Sequence, residues 1–227
     1  MGLIDLTKEA LTRLGARCSP SHIHGLNSVL NYMETGRWLR ARGFGDPPRH
    51  PTRERLYAAL GSKIENERVL YLEFGVYYGV SMRLWSKLLK NPRSALHGFD
   101  SFEGLPEDWD ARRPRGEFDV GGCIPTFDDA RVVLHKGWFE ETLPSFAPPE
   151  RERLVLNMDA DLYSSTRFVL DTLRGEIRPG TIIVFDEFCD RMHELKAFDE
   201  FLRETGMKFR ALCATKTLEH VAFERTP

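Results

Sequence analysis

No apolar run in the sequence approaches the ~20 residues needed to cross a bilayer, so no membrane span is expected. No CxxC pair is present either. Cys18, Cys123, Cys189 and Cys213 lie far apart, which argues against a zinc knuckle or a disulfide framework and leaves free, mostly buried thiols as the expectation. Positive charge is not in excess: 32 Lys and Arg stand against 34 Asp and Glu, for a net charge of −2, so no global basic field recruits nucleic acid. The basic cluster ARRPR at 111–115 sits among acids and reads as a solvated loop. The stretch MGLIDLTKEALTRLGARC mixes acids with its apolar residues and does not read as a secretory signal, which makes cytoplasmic residence the expectation. Internal repeats and low-complexity tracts are lacking as well.

What is present is an ordinary globular mixture, 41% hydrophobic and 29% charged over 227 residues, enough for one α/β core with a small appendage. Residues 1–50 combine a short amphipathic helix with a polar segment ending in GFGDPPRHP, which reads as a boundary. The expected division is an N-terminal helical segment over 1–60, placed to act as a lid or subunit contact, and a main domain over 61–227. Beyond the boundary, short apolar runs alternate with helical patterns. The runs are VLYLEFG (69–75), ALHGFD (95–100), RVVLHKG (131–137), LVLNMDA (154–160) and TIIVFDE (181–187). Helical spacing follows at SMRLWSKLLK and near 139–146, 162–175 and 192–204.

That alternation predicts βαβ units and an α/β, doubly wound, mostly parallel sheet. KFRALCAT and TLEHVAFER add a C-terminal antiparallel hairpin, for seven strands in all. The connection 101–130 exceeds usual α/β loop length and is expected to be a functional flap or a mobile segment.

Two features carry chemistry. The first is E-x-G-x-x-x-G-x-S within YLEFGVYYGVSM, at a strand-to-helix turn where glycines let backbone approach a ligand and a helix N-terminus offers free amides. Glu73 at the tip of that strand suits a cationic amine, and Asp100 at the end of the next suits the two hydroxyls of a ribose. A tight βα turn with no ligand is the competing reading. The second feature is a double acidic pair, Asp159 and Asp161 in NMDADLYSS and Asp186 and Glu187 in IIVFDEF, each closing an apolar run. If the two strands are neighbours, their carboxylates converge at the carboxyl edge of the sheet, where a hard divalent cation, Mg²⁺ first, would relieve their repulsion. Alternatively Asp161 caps the following helix and Glu187 is merely solvated.

Taken together, EFGVYYGVS, GFDSFEGLPEDW, KGWFEETLP, MDADLYSST and PGTIIVFDEF resemble the macrocin O-methyltransferase family, Mg²⁺-dependent enzymes that methylate sugar hydroxyls with S-adenosylmethionine. The resemblance runs in order from about Leu70 to Phe188, and residues 1–60 match only loosely. It implies a Rossmann-like methyltransferase fold, Asp159, Asp186 and Glu187 as metal ligands, and Asp161 as general base. It also implies Glu73, Gly75, Gly79 and Ser81 at the methionine end of the cofactor, Asp100 at its ribose with Ser101 and Phe102 nearby, and Trp138 at the adenine. This chain departs from the family by carrying Asp186-Glu187 where Asp-Asp is usual. His193 is a second candidate base, ranked below Asp161, while His135 reads as a core residue. The implied acceptor is a small molecule or glycan with adjacent hydroxyls, and a homo-oligomer is compatible with the reading. A catechol or polyketide hydroxyl in the same site, or a nucleoside-binding module without catalysis, are the rival functions.

Overall fold

The computed structural model describes residues 2–227. Three helices open the chain: α1 (Leu3–Gly15), α2 (Pro20–Ala41) and, after the two-residue strand β1 (Arg49–His50), α3 (Arg53–Ile64). The alternating part follows as β2 (Val69–Phe74), α4 (Val80–Leu88), β3 (Ala95–Asp100), β4 (Val132–Lys136), α5 (Phe139–Thr142), β5 (Arg153–Met158), α6 (Tyr163–Thr172), β6 (Ile182–Phe185) and α7 (Glu194–Thr205). It ends in the hairpin β7 (Phe209–Thr215) and β8 (Val221–Arg225).

The strands form one eight-stranded sheet among the described residues, in the order β1-β7-β8-β6-β5-β2-β3-β4. All pairings are parallel except β6 with β8 and β7 with β8. The doubly wound reading and its antiparallel hairpin are realised, with β1 as an added edge strand in the segment read as a boundary. The order runs outward from β2 through β3 to β4, then returns to place β5 on the other side of β2. The switch point therefore lies between β2 and β5, where α/β folds open a crevice at their strand ends.

Side chains alternate across a strand, and here the two faces bury two cores. Leu70, Leu72 and Phe74 of β2, with Leu154, Leu156 and Met158 of β5, pack beneath α6 and α7. Val69 and Tyr71, with Val155 and, from β6, Ile182 and Val184, pack beneath α3 and α4. α2 is anchored to the first core by Trp38, which is 5% exposed, meets Phe44, Phe188 and Phe223, and donates Nε1–H to Asp199 Oδ1 at 2.5 Å. Of the four cysteines, all free, only Cys213 is buried. Cys123 is exposed on the long connection, and Cys18 and Cys189 are half-buried, because none of these three lies on a strand facing a core.

Strand ends lie in step. Phe74 pairs with Phe99 and Met158, and Met158 with Phe185. The next residues continue the pairing, Gly75 N–H donating to Phe99 O, Asp159 N–H to Phe74 O and Asp186 N–H to Met158 O. Gly75 has φ +90°, and a Cβ there would stand 1.8 Å from the carbonyl oxygen of Asp159. Gly75→Ala is therefore expected to force β2 and β5 apart at the switch point and to cost at least about 1–3 kcal/mol, the scale of local backbone strain. Urea unfolding checks this, and an unchanged midpoint would contradict it.

Candidate functional site

A cavity of about 340 Å³ opens at the switch point, above the ends of β2, β3, β5 and β6. Gly75, Ser81, Asp100, Ser101 and Trp138 line it from one side, and Asp159, Asp161, Asp186 and Glu187 from the other. The connection 101–130 contributes Leu105, Trp109, Arg113 and Phe118 to the lining, the placement a flap requires. Arg113 corrects the solvated-loop expectation for 111–115. Its guanidinium carbon lies 3.3 Å from the centroid of the Trp109 ring and Nη2 donates to Asp110 Oδ2 at 2.7 Å, while Arg112 and Arg115 remain exposed.

Asp100 is held rigidly. Oδ2 accepts the N–H groups of Val76 and Tyr77 at 2.7 and 2.8 Å, and Oδ1 accepts that of Phe102 at 2.7 Å. These bonds knit the glycine turn after β2 to the end of β3 and fix the carboxylate at the cavity wall.

Four of the residues singled out in the sequence do not reach the cavity wall. Glu73 follows Val69 and Tyr71 in parity, so its side chain passes to the α3–α4 face, fully buried, where Tyr71 donates to Oε2 and Ser81 Oγ to Oε1 at 2.9 Å. Burial pushes its carboxyl up to about 8. Gly79, at φ +72°, caps α4, and a Cβ on it would meet the Phe127 ring. Phe102 is 1% exposed. His193 spends Nδ1 on the N–H of Tyr163 at 3.2 Å, with its ring edge-on to Trp109. It braces the start of α6.

The acids do converge, though by a different route from simple alternation. β5 ends at Met158, and Asp161 is turned inward by a left-handed φ of +58°, a conformation costly for a non-glycine residue and concentrated at functional sites. It does not cap α6, whose N-cap is Leu162 with no side-chain bond. Burial, then the charges of Glu187 and Asp186, push the Asp161 carboxyl up to about 8. Burial, then Asp186 and Glu219, take Glu187 to about 7. Glu194, buried at the start of α7, adds a fifth carboxyl. It accepts the Glu187 N–H at 2.9 Å, and burial raises it well above the usual range.

Asp159 and Asp186 share a cation, and it is an arginine. Arg53 Nη1 donates to Asp186 Oδ1 at 3.0 Å and lies 3.8 Å from Asp159 Oδ2. The same Oδ1 of Asp186 accepts His220 Nε2 from the β7–β8 turn at 2.8 Å. Burial alone would raise Asp186, but His220 and Arg53 outweigh it and hold the carboxyl below its ordinary range. Burial and the charges of Asp186 and Asp161 raise Asp159 instead. Among the described residues no three His, Cys, Asp or Glu side chains gather to hold one metal ion. The set expected for Mg²⁺, Asp159, Asp186 and Glu187, is therefore not assembled, because Arg53 stands where two of its members meet.

A family model described as "Methyltransferase domain" matches residues 72–188, the stretch from β2 to the end of β6 that carries the cavity. The chain belongs to this methyltransferase family. The resemblance drawn from the sequence motifs accords with it. A 4'-O-methyltransferase of a rhamnosyl-tetracenomycin from Streptomyces olivaceus is 28% identical, the match covering 43% of this chain and 45% of that protein. Demethyldecarbamoylnovobiocin O-methyltransferase from Streptomyces niveus is 31% identical over 42% of this chain and 33% of its own length. The match thus spans less than half of either relative. The solved structure of the O-methyltransferase NovP superposes with a TM-score of 0.61 at 19% identity, covering 88% of this chain and all of the other, and so supports the fold.

Arg53, His220, Arg113 and Trp109 were not found by sequence reasoning. Parity offered one signal: Asp159 continues Val155 and Asn157, and Asp186 continues Ile182 and Val184, on the face beneath α3.

A carboxyl whose folded pKa lies above its unfolded value keeps its proton where the unfolded chain has lost it. The stability it contributes is complete below about pH 4 and is lost as pH rises through the folded value. For Asp161 and Glu187 that window closes at about 8 and about 7. Asp161→Asn removes the larger titration, so its melting temperature relative to the unsubstituted protein should rise between about pH 5 and 8 and level off above that. Thermal melts across that range check it, and a flat or falling difference would contradict it.

Proposed function

We propose that the protein transfers a methyl group from S-adenosylmethionine to a hydroxyl of a sugar or glycosylated small molecule. The observation that carries this reading is the single switch-point crevice with a fixed carboxylate, Asp100, on one wall and an elevated, inward-turned carboxyl, Asp161, on the other. The cofactor suits the first wall. Gly75 presents bare backbone, Val80 and Ser81 bring the start of α4, Asp100 offers acceptors for ribose hydroxyls, and Trp138 offers an aromatic face. The cavity's volume lies in the ordinary range for a small-molecule site. Both relatives are named as O-methyltransferases, one of a rhamnosyl-tetracenomycin and one of demethyldecarbamoylnovobiocin, which supports a hydroxyl acceptor.

S-adenosylmethionine, when bound, supplies a methyl group already activated on a sulfonium. What remains for the protein is to align the acceptor oxygen and remove its proton. Asp161 would take the proton of an acceptor hydroxyl, leaving its oxygen to receive the methyl group that S-adenosylmethionine would supply. A base with a pKa near 8 is matched to a proton transfer close to neutral pH. Burial, with the charges of Glu187 and Asp186, keeps the Asp161 carboxyl raised. The flap residues Trp109, Arg113 and Phe118 shape the acceptor side and limit water. α2 braces that flap, Arg112 Nη2 donating to the His24 ring, which supports a role for residues 1–60 in enclosing the acceptor.

Mg²⁺ does not enter this reading, since its expected ligands are not assembled around one point. A catechol or polyketide hydroxyl as acceptor would use the same base, and acceptor turnover separates it from the sugar reading. The non-catalytic alternative is separated by turnover. Asp161→Asn should lower kcat by ~10²–10⁴-fold while leaving S-adenosylhomocysteine affinity nearly unchanged. Steady-state transfer to a rhamnosylated aromatic acceptor, with calorimetry for the cofactor product, measures both. A variant that retains most of its rate would remove Asp161 from the reaction.

A further inference from the structure

We infer that Arg53 is the resident cation of the crevice, filling the position at which a divalent metal would join Asp159 to Asp186, so that the acid pair is neutralised by the chain itself.

The first support is placement. Arg53 is the opening residue of α3, after the N-cap Thr52, and a cation there faces the positive end of the helix dipole, an unfavourable arrangement. Its position is explained by what lies opposite. By strand parity Asp159 and Asp186 both turn toward α3, one residue beyond the paired Met158 and Phe185. A guanidinium at 3.0 and 3.8 Å from them balances charges that would otherwise repel at close range.

The second support is that Asp186 is spoken for. Its Oδ1 takes both Arg53 and His220, and the residue is only 8% exposed, so the carboxylate is oriented by two side-chain donors before any ligand arrives. A divalent ion at this point would have to displace an arginine that is itself two-thirds or more covered, its side chain being 29% exposed.

The third support is the donor inventory. Arginine carries five N–H donors, and the only hydrogen bond Arg53 makes among the described residues uses Nη1. Arg53 lines the same cavity as Asp161. Its remaining donors are available to an acceptor oxygen, where a fixed positive charge stabilises the negative charge that develops as the proton leaves. A tethered guanidinium thereby provides what an ion provides, orientation and charge, without a coordination shell.

Metal uptake is measured without any acceptor, so the outcome is independent of whether methyl transfer occurs. The full chain is titrated with Mn²⁺ and free Mn²⁺ is followed by electron paramagnetic resonance, for the unsubstituted protein, Arg53→Met and Arg53→Lys. S-adenosylhomocysteine calorimetry on each reports an intact crevice. The unsubstituted protein and Arg53→Lys should take up no stoichiometric Mn²⁺. Arg53→Met, with the acid pair exposed, should bind it at least about tenfold more tightly. Stoichiometric Mn²⁺ binding by the unsubstituted protein overturns the inference even if Arg53→Met does not fold. Failure of Arg53→Met to gain affinity while still binding S-adenosylhomocysteine overturns it as well.

Discussion

Two carboxylates, each one residue past the end of neighbouring parallel strands, set the constraint from which the rest of this site follows. Register puts Asp159 beside Asp186, and alternation aims both at the start of α3. Left alone they would repel, and one would be neutral. Arg53 resolves the conflict by pairing most closely with Asp186, which stays ionised, while Asp159 is pushed upward. The third acid, Asp161, set by its left-handed turn, lines the same cavity without a bond to Arg53. These strand ends thus hold two kinds of carboxyl, a pair that shares Arg53 and a third, raised to about 8, that does not.

The same crowding explains where the fold is strained. Gly75 passes so close to the Asp159 carbonyl that no side chain fits, and Asp161 occupies a conformation that most residues avoid. Both lie at the switch point, where the sheet reverses its strand order and the cores beneath it are packed on both faces. Strain of this kind persists only when its surroundings over-determine it. Here three backbone amides on Asp100 and the buried Tyr71–Glu73–Ser81 cluster fix the turn from below. Rigid walls of this sort suit a reaction whose main demand is alignment.

Much of this was legible in the residues. Parallel strands buried on both faces read as continuous apolar runs, so β2, β5 and β6 were visible, and acids at their ends were conspicuous because nothing in a core tolerates them. The helices after β2, β5 and β6 carried clear periodicity. α2 was not seen as one long helix, because Gly25, Gly36 and two histidines interrupt its apolar pattern, although Ser19 and Pro20 mark its start. Glu73 was assigned to a ligand from its place at a strand tip, whereas parity against Val69 and Tyr71 already put it on the covered face. Arg53 and His220 were out of reach for another reason. Each is positioned by an element remote in sequence, the start of α3 and the β7–β8 turn, and no local pattern joins them to Asp186.

A crystal structure of the full chain grown with S-adenosylhomocysteine and excess Mg²⁺ tests the central claim most directly. The account predicts S-adenosylhomocysteine in the switch-point cavity with its ribose on Asp100, and the Arg53 guanidinium still bonded to Asp186. An ion bridging Asp159 and Asp186 with Arg53 swung away, or the ligand bound elsewhere, would contradict it.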